Sequence, residues 1–225
     1  EGFLRLLETY GENTGDQRLK DLILQVYKFS QGYPDPETLL RKMAEQFYMA
    51  EGDTIDQCAW MPLIGEGITN GVDYALYNLQ KAYDRICGNG EFTAYGERLE
   101  AELEGVKALR QALEHPSYAD WHQAYVAVDF ARMPAYRGQD KDTAEWVKNL
   151  RNEAKASIGK LGETYFCYSA ETQTKLISSL YPIAKALSET VIRFAEAFAQ
   201  AKKEKLWLDF NDYEHFALQI LTEPG

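Results

Sequence analysis

The sequence has few of the residues and motifs that carry enzyme chemistry. It holds only three cysteines and three histidines, and none of them has the spacing of a metal-binding pair. It has no G-x-x-x-x-G-K-[ST] loop, no G-x-G-x-x-G loop and no H-E-x-x-H helix, so it offers no recognisable phosphate cradle or zinc-protease site. The sequence therefore predicts no catalytic residue and no metal site in this chain.

Long hydrophobic runs and positive charge are also scarce. No run of about 18 apolar residues occurs, so we expect no membrane-spanning helix and no membrane partner. The net charge of −11 argues against a grip on nucleic acid by the whole surface, so any DNA contact must be local. The three separated cysteines are expected to be free, buried or half-buried thiols in a reducing, cytoplasmic compartment: Cys58, Cys87 and Cys167.

Helical periodicity runs through nearly the whole chain. Apolar residues recur at steps of three and four, and 45% of the residues are hydrophobic, which predicts an all-α fold with a packed core. Two pairs of long apolar stripes predict two long antiparallel helical hairpins, over residues 68–113 and 142–198. Residues 118–130 fit either a short helix or a strand.

Two aspartates give helix-start signals. Asp35 followed by Pro36 predicts an N-cap with proline in the first turn. Asp142 with Glu145 three residues later predicts the start of a long helix.

One stretch is basic against the acidic background. Residues 131–160 carry seven basic and four acidic side chains, and Lys148, Arg151 and Lys155 fall on one helical stripe. Such a patch can hold phosphates, with Tyr136 available for a base or sugar. A solvated helix face is the alternative explanation.

Three segments show a pattern in a fixed order. Residues 206–221 contain Asp209, Phe210 and Asp212 in a D-F-x-D arrangement, followed by Tyr213. Residues 130–138 read F-A-R-M-P-A-Y-R-G, and residues 3–36 contain F-L-R-L-L-E-T-Y-G, L-K-D-L-I-L-Q-V-Y-K-F-S and G-Y-P-D-P. Together they resemble the AddA (RexA) motor-subunit family of bacterial helicase–nucleases, within the UvrD-like superfamily 1 helicases. The related patterns are D-F-x-D-L before the Walker B strand and F-x-R-L-P-x-x-R-G.

The resemblance implies a helical 1B subdomain inserted into the first RecA-like motor domain. Residues 1–205 are then expected to form the insertion, and residues 206–225 a helix that returns to the motor domain and stops before Walker B. The start at Glu1 and the end at Gly225 also suggest an excised piece. The last helix is expected to expose apolar residues that face the motor domain: Phe210, Phe216 and Leu218.

The resemblance also implies part of an ATP-dependent DNA helicase and exonuclease that acts in double-strand break repair. ATP and Mg²⁺ are expected for the full-length protein, whereas no cofactor and no activity are expected for this piece alone. The expected partners are DNA and the second, B-type nuclease subunit of a heterodimer.

Three functions stay open on the sequence alone. The chain is a DNA-handling subdomain, a scaffold that docks the partner nuclease without touching DNA, or an unrelated helical enzyme. In the first case we expect weak, sequence-independent phosphate contacts. The expected DNA-contacting side chains are Arg132, Arg137, Lys141, Lys148, Arg151 and Lys155.

Overall fold

The described part of the chain is built from helices alone. The computed structural model describes residues 17–222, apart from the side chains of Gln219 and Thr222, and no strand occurs in that range. The all-α prediction is confirmed. The helices are α1 (Gln17–Ser30), α2 (Pro36–Glu45), α3 (Met61–Ile86), α4 (Thr93–Ala112), α5 (Tyr118–Ala127), α6 (Lys141–Thr164), α7 (Ala170–Glu204) and α8 (Phe210–Thr222).

The chain divides into two compact units. The central unit comprises Gly52–Thr174, and the terminal unit combines the described residues before Gly52 with those after Thr174. The sequence analysis expects one insertion over residues 1–205 followed by a separate last helix. The division into a central and a terminal unit is not visible in the helical periodicity, and the assignment of the last helix to a motor domain stays a prediction.

The central unit is a three-helix bundle of α3, α4 and α6. The hairpin of α3 and α4 is present as predicted, and Asp73 pairs with Arg110 across it (Nε–Oδ1 2.8 Å). α6 lies antiparallel to α3, since Ser157 bonds the carbonyl of Gly71 near one end (2.9 Å) and Lys81 lies over the Trp146 ring near the other. The sequence predicts α7 as the partner of α6. Within the central unit, which contains only the first turn of α7, the partner is α3.

Helix α5 packs against α4 and resolves the ambiguous stretch in favour of a helix. The Ser117 hydroxyl caps its start by accepting from the Asp120 N–H (3.3 Å). Tyr118 and Trp121 are its buried residues, and the Tyr118 hydroxyl lies 2.6 Å from the carbonyl of Tyr165. The helix ends at Ala127, and chain without regular secondary structure follows to the start of α6.

The terminal unit contains α1, α2, α8 and most of α7. Asp35 caps α2 as predicted, with its carboxylate accepting from the Thr38 N–H (3.0 Å). The buried core consists of Tyr27, Leu40, Val191 and Ile192. The Tyr27 ring also meets Phe194 and Phe198 of α7 edge-on, with centroids 5.1 and 6.0 Å apart.

Helix α7 ends in a backbone motif that normally needs glycine. The Trp207 N–H donates to the Lys202 carbonyl (2.9 Å) and the Leu206 N–H to the Lys203 carbonyl (3.2 Å), which is the Schellman arrangement. Leu206 takes the left-handed position with φ of 55°. A residue other than glycine is strained in this left-handed conformation. The Leu206 side chain is also 91% exposed.

Candidate nucleic-acid interface

The segment that joins α5 to α6 carries two of the predicted DNA-contacting arginines. We call residues 130–138 the strap. It has no regular secondary structure, and it contains Arg132 and Arg137, whose side chains are exposed. Its position is defined by one contact near each end, described next.

The first anchor is a buried ion pair between Glu102 of α4 and Arg151 of α6. The Arg151 Nε lies 3.0 and 2.9 Å from the two carboxylate oxygens, and its Nη2 lies 2.7 Å from Oε1. Nη2 also donates to the carbonyl of Ala131, and the guanidinium carbon sits 5.6 Å from the Phe130 ring centroid. One guanidinium therefore joins two helices to the start of the strap.

Burial removes Arg151 from the predicted phosphate contacts. Only 6% of its side chain and 1% of that of Glu102 are exposed to solvent. Burial raises the pKa of Glu102, against the opposing effect of the Arg151 hydrogen bonds. A guanidinium enclosed in this way cannot reach a DNA backbone, so Arg151 has a structural role in place of the expected contact.

The second anchor is Tyr136. Its ring stacks on Phe92 (centroids 4.7 Å apart, planes 15° apart), and its hydroxyl donates to the Glu91 carboxylate (2.9 Å) while accepting from the Asp140 N–H (3.1 Å). A Cβ at Gly138 would overlap this hydroxyl, so glycine is needed for the close approach. The Tyr136 ring and hydroxyl are thus engaged by the protein, and the predicted use for a base or sugar does not fit.

Both anchors hold the strap against α6. Near its start the Ala131 carbonyl accepts from Arg151, and near its end the Tyr136 hydroxyl accepts from the Asp140 N–H at the N-cap of that helix. Arg151 and Asp140 are about 17 Å apart along the helix at about 1.5 Å per residue. The strap therefore runs alongside α6 and antiparallel to it.

Helix α6 contributes a second row of cations. Lys141, Lys148 and Lys155 recur at intervals of seven residues, so they form one line along the helix, with neighbours about 10 Å apart. Lys141 and Lys155 are exposed, whereas Lys148 is half-buried with its ammonium 5.9 Å from the Tyr95 ring centroid. Four of the six predicted contact residues are thus exposed at the surface of this region.

The start of α6 differs by two residues from the sequence prediction. The N-cap is Asp140, whose carboxylate accepts from the Thr143 N–H (3.0 Å), and not Asp142. These hydrogen bonds with Thr143 lower the pKa of Asp140. The earlier start brings Lys141 into the first turn, next to the end of the strap.

Curated proteins match this chain over nearly its whole length, although no family model does. It is 31% identical over 224 residues to the ATP-dependent helicase/nuclease A-subunit of Thermoanaerobacter sp. (strain X514), covering 99% of this chain and 18% of that protein. For the A-subunit of Clostridioides difficile (strain 630) the identity is 30%, with 99% and 18% covered. For that of Clostridium botulinum (strain Okra / Type B1) it is 33%, with 100% and 17% covered.

The chain is homologous to one part of the A-subunit of ATP-dependent helicase/nucleases, the AddA family. The resemblance inferred from its motifs is confirmed, and the chain spans less than a fifth of the length of these relatives. Three segments carry the resemblance. In residues 3–36 the first part, up to residue 16, lies outside the described range, and the rest includes α1 and the start of α2. Residues 130–138 are the strap, and residues 206–221 include most of α8.

In the third segment the D-F-x-D pattern forms a helix cap. The Asp209 carboxylate accepts from the Asp212 N–H (3.1 Å), and that of Asp212 accepts from the Asp209 N–H (2.8 Å). Both carboxylates also bind Lys202 Nζ, at 2.9 and 2.6 Å, and the Lys202 hydrogen bond lowers the pKa of Asp209. These aspartates therefore fix the entry into α8.

Helix α8 and the turn before it expose a large apolar surface. The prediction of exposed residues holds for Phe210 and Phe216, whereas Leu218 is half-buried. Leu206 at 91% and Phe210 at 87% are almost fully exposed. The other exposed apolar side chains here are Trp207, Leu208, Tyr213, Ile220 and Leu221. A surface of this kind is typical of a protein contact.

No second type of site stands out. Among residues 17–222, no group of three or more His, Cys, Asp and Glu side chains has the arrangement to hold a metal ion. None of the helices in this range is long and apolar enough to cross a membrane. The cysteines are free, and the expectation of buried or half-buried thiols is met by Cys58 but is wrong for Cys87 and Cys167, which are exposed.

Proposed function

We propose that this chain is a non-catalytic, DNA-handling part of the A-subunit of an ATP-dependent helicase/nuclease. The observation that supports it best is the pair of cation rows on the central unit, one on the strap and one on α6, in a chain whose net charge is −11. The proposed contacts are Arg132, Arg137, Lys141 and Lys155, and half-buried Lys148 lies within the α6 row. Cations arranged along two lines favour phosphates over base edges, as expected for a protein that moves over any sequence.

The names of the relatives guide the proposal for the whole protein. They are called A-subunits of an ATP-dependent helicase/nuclease. We infer that the full-length protein uses ATP and Mg²⁺ to drive a helicase and exonuclease in DNA break repair. In that setting residues 1–205 are the helical 1B insertion of the motor, and residues 206–225 return to its first RecA-like domain. The B-type nuclease subunit of the heterodimer is the protein partner.

The proposal is tested by DNA binding under varied salt. A labelled duplex with a single-stranded tail is titrated with the 225-residue chain, starting at about 20 mM salt, where phosphate contacts are strongest. We expect weak binding that falls steeply with salt. Changing Arg132, Arg137, Lys141 and Lys155 to alanine should reduce the slope of log affinity against log salt by about 0.7–0.9 for each phosphate that is no longer neutralised.

A matched control removes the same number of charges elsewhere. Four exposed cations lie outside the strap and α6, namely Arg18, Arg193, Lys42 and Lys107. Their replacement by alanine should preserve most of the affinity for DNA and most of the slope of log affinity against log salt. Equal losses in the two variants would show only a general charge effect. If the unaltered chain does not bind even at about 20 mM salt, the DNA contacts are withdrawn. The scaffold that docks the partner nuclease then becomes the favoured function.

The apolar surface at α8 supports a second part of the proposal, namely that this surface packs against the motor domain in the longer protein. Leu206 is the informative residue, because it is strained and exposed in the chain alone. Leu206→Gly should stabilise the isolated chain by about 1 kcal/mol in chemical denaturation, since glycine accepts a positive φ. In the full-length protein the same change should bring no gain, because the leucine side chain would be missing from the docked surface. An equal gain in both proteins would contradict the docking.

A further inference from the structure

We propose that Glu102 and Arg151 are positioning residues, whose buried pair holds Arg132 and Arg137 of the strap in place for contact with a phosphate backbone. This inference rests on the proposed DNA function and goes beyond it, because it assigns a role in binding to two side chains that DNA cannot touch. It also replaces the expected role of Arg151 as a direct contact. Geometry, charge and the second anchor each support it.

The geometry links the buried pair directly to the arginines. Arg151 Nη2 donates to the carbonyl of Ala131, and the next residue along the chain is Arg132. The guanidinium carbon also lies 5.6 Å from the centroid of the Phe130 ring, so it contacts the side chain of one strap residue and the carbonyl of the next. No other hydrogen bond is seen from the strap to α4 or α6 at this end, among the described residues. Loss of the guanidinium therefore frees the start of the strap.

The charges explain why the anchor is firm. The guanidinium has several N–H groups in a fixed plane, so it can bind a carboxylate with two of its nitrogens and still donate to a carbonyl. Glu102 holds Arg151 in the orientation that reaches Ala131. Arg98 and Asp129 are the other charged groups near Glu102, and the Arg98 Nε is itself buried without a hydrogen-bond partner. In the described part of the chain Arg98 makes no hydrogen bond to the strap, so Arg151 is the cation that binds it here.

The second anchor makes the inference position-specific. Tyr136 holds the other end of the strap through Glu91 and the Asp140 N–H, next to Arg137. Loss of the Arg151 anchor should free the chain near Arg132 first. Loss of the Tyr136 hydroxyl should free it near Arg137 first. A general loss of stability would show no such preference.

The test uses two variants of the 225-residue chain. The first is Glu102→Leu/Arg151→Met, which fills the same volume with apolar side chains and leaves the net charge unchanged. Such replacements of a buried ion pair generally preserve folding. The second is Tyr136→Phe, which keeps the stacked ring and removes the hydroxyl. Helix content and the melting temperature establish that each variant is folded.

The first readout is limited trypsin cleavage, followed by mass spectrometry. In the double variant, cleavage after Arg132 should rise about tenfold or more, as expected for the loss of a hydrogen bond from a charged donor. Cleavage after Arg137 should rise less, and Tyr136→Phe should give the reverse order. Cleavage after Lys107 and Arg193 serves as an internal control and should not change. Unchanged cleavage in the strap, or an equal rise at all sites, would overturn the positioning role.

The second readout is the salt dependence of DNA binding. In the double variant the slope should fall by about 1.4–1.8, corresponding to the two strap arginines, although no exposed charge has been removed. Lys155→Ala should reduce the slope by about 0.7–0.9 and leave trypsin cleavage of the strap unchanged. Faster cleavage with an unaltered slope would show that the strap arginines do not bind DNA, and would overturn the inference. If the unaltered chain does not bind DNA, the proposed function fails, and the trypsin result still decides whether the pair anchors the strap.

Discussion

Glu102→Leu should destabilise the chain by about 3–5 kcal/mol, which is the typical result of removing one partner from a buried ion pair. The substitution leaves the Arg151 guanidinium enclosed among apolar groups, with one carbonyl as its remaining partner. Arg151→Met should have a similar effect near neutral pH, because it leaves a buried carboxylate. The measurement is the free energy of unfolding from denaturant titration, followed by circular dichroism.

The double variant Glu102→Leu/Arg151→Met provides the control for that prediction. With both charges removed and the volume conserved, we expect a stability within about 1 kcal/mol of the unaltered chain, or above it. The coupling energy of the cycle would then be as large as the single losses. If the losses of the two single variants simply add in the double variant, the pair is not coupled and the prediction is wrong.

The two single variants should also differ in their pH dependence. In Arg151→Met the carboxyl of Glu102 stays buried without its cation, and burial already raises its pKa above the ordinary value of 4.5. The folded state then retains a proton that the unfolded state has lost, so the stability of this variant falls as pH rises above about 4.5. Glu102→Leu leaves a guanidinium that stays charged throughout. Its stability relative to the unaltered chain should not follow that trend between about pH 5 and 8, and parallel curves for the two single variants would contradict this expectation.

Trp121→Ala should cost about 3–5 kcal/mol, the typical range for deleting a large buried aromatic side chain. Trp121 is 3% exposed, and its indole N–H donates to the carbonyl of His115 (2.6 Å). Its ring lies so close to Gly65 of α3 that a Cβ there would be 3.1 Å away. The substitution therefore opens a cavity between α5 and α3 and leaves a carbonyl without its partner. Denaturant titration again provides the measurement.

The chain offers a matched tryptophan for comparison. Trp207 is 63% exposed, so Trp207→Ala should change the free energy of unfolding by only about 0.5 kcal/mol or less. Trp121→Phe should fall between the two, because it keeps most of the apolar packing and loses the hydrogen bond. A small loss for Trp121→Ala, comparable to that of Trp207→Ala, would mean that α5 contributes little to the central unit.

Much of the fold follows from local patterns in the sequence. The apolar seam of α3 is buried where the three-and-four spacing predicts, with Ile68, Val72 and Leu79 fully enclosed. The start of α2 also has a local sequence signal, because Asp35 is its N-cap and a proline lies in its first turn. Which helices pack together is a long-range property. The choice of α3 as the partner of α6 depends on how side chains fit, and periodicity does not encode it.

The buried ion pair is absent from the sequence prediction, although the sequence carries a signal for it. Arg151 lies four residues after Val147 and three before Ala154, which places it inside an apolar seam. Glu102 lies three residues after Leu99, again inside a seam. One acid in one seam and one base in another suggest a buried pair. Counting charge over residues 131–160 hides this signal, because the count treats every cation as exposed.

Two helix boundaries have no usable signal in the sequence. Two aspartates, Asp140 and Asp142, lie near the start of α6, and the sequence does not show which of them is the N-cap. The Asp140 N–H donates to the hydroxyl of Tyr136, which belongs to the strap before the helix. The left-handed residue after α7 is a leucine, so the usual glycine marker of a helix end is absent. Each of these outcomes depends on groups that meet only after folding.

The anchored strap has a consequence for the thermodynamics of binding. A flexible loop that becomes ordered on a ligand loses backbone and side-chain entropy at that moment, and this loss weakens its affinity. In this chain the backbone around Arg132 and Arg137 is already ordered by contacts at both ends. Most of this backbone entropy is therefore lost when the central unit folds, before any ligand binds. Only the two arginine side chains would remain to be ordered, so the proposed phosphate contacts would lose little further backbone entropy on binding.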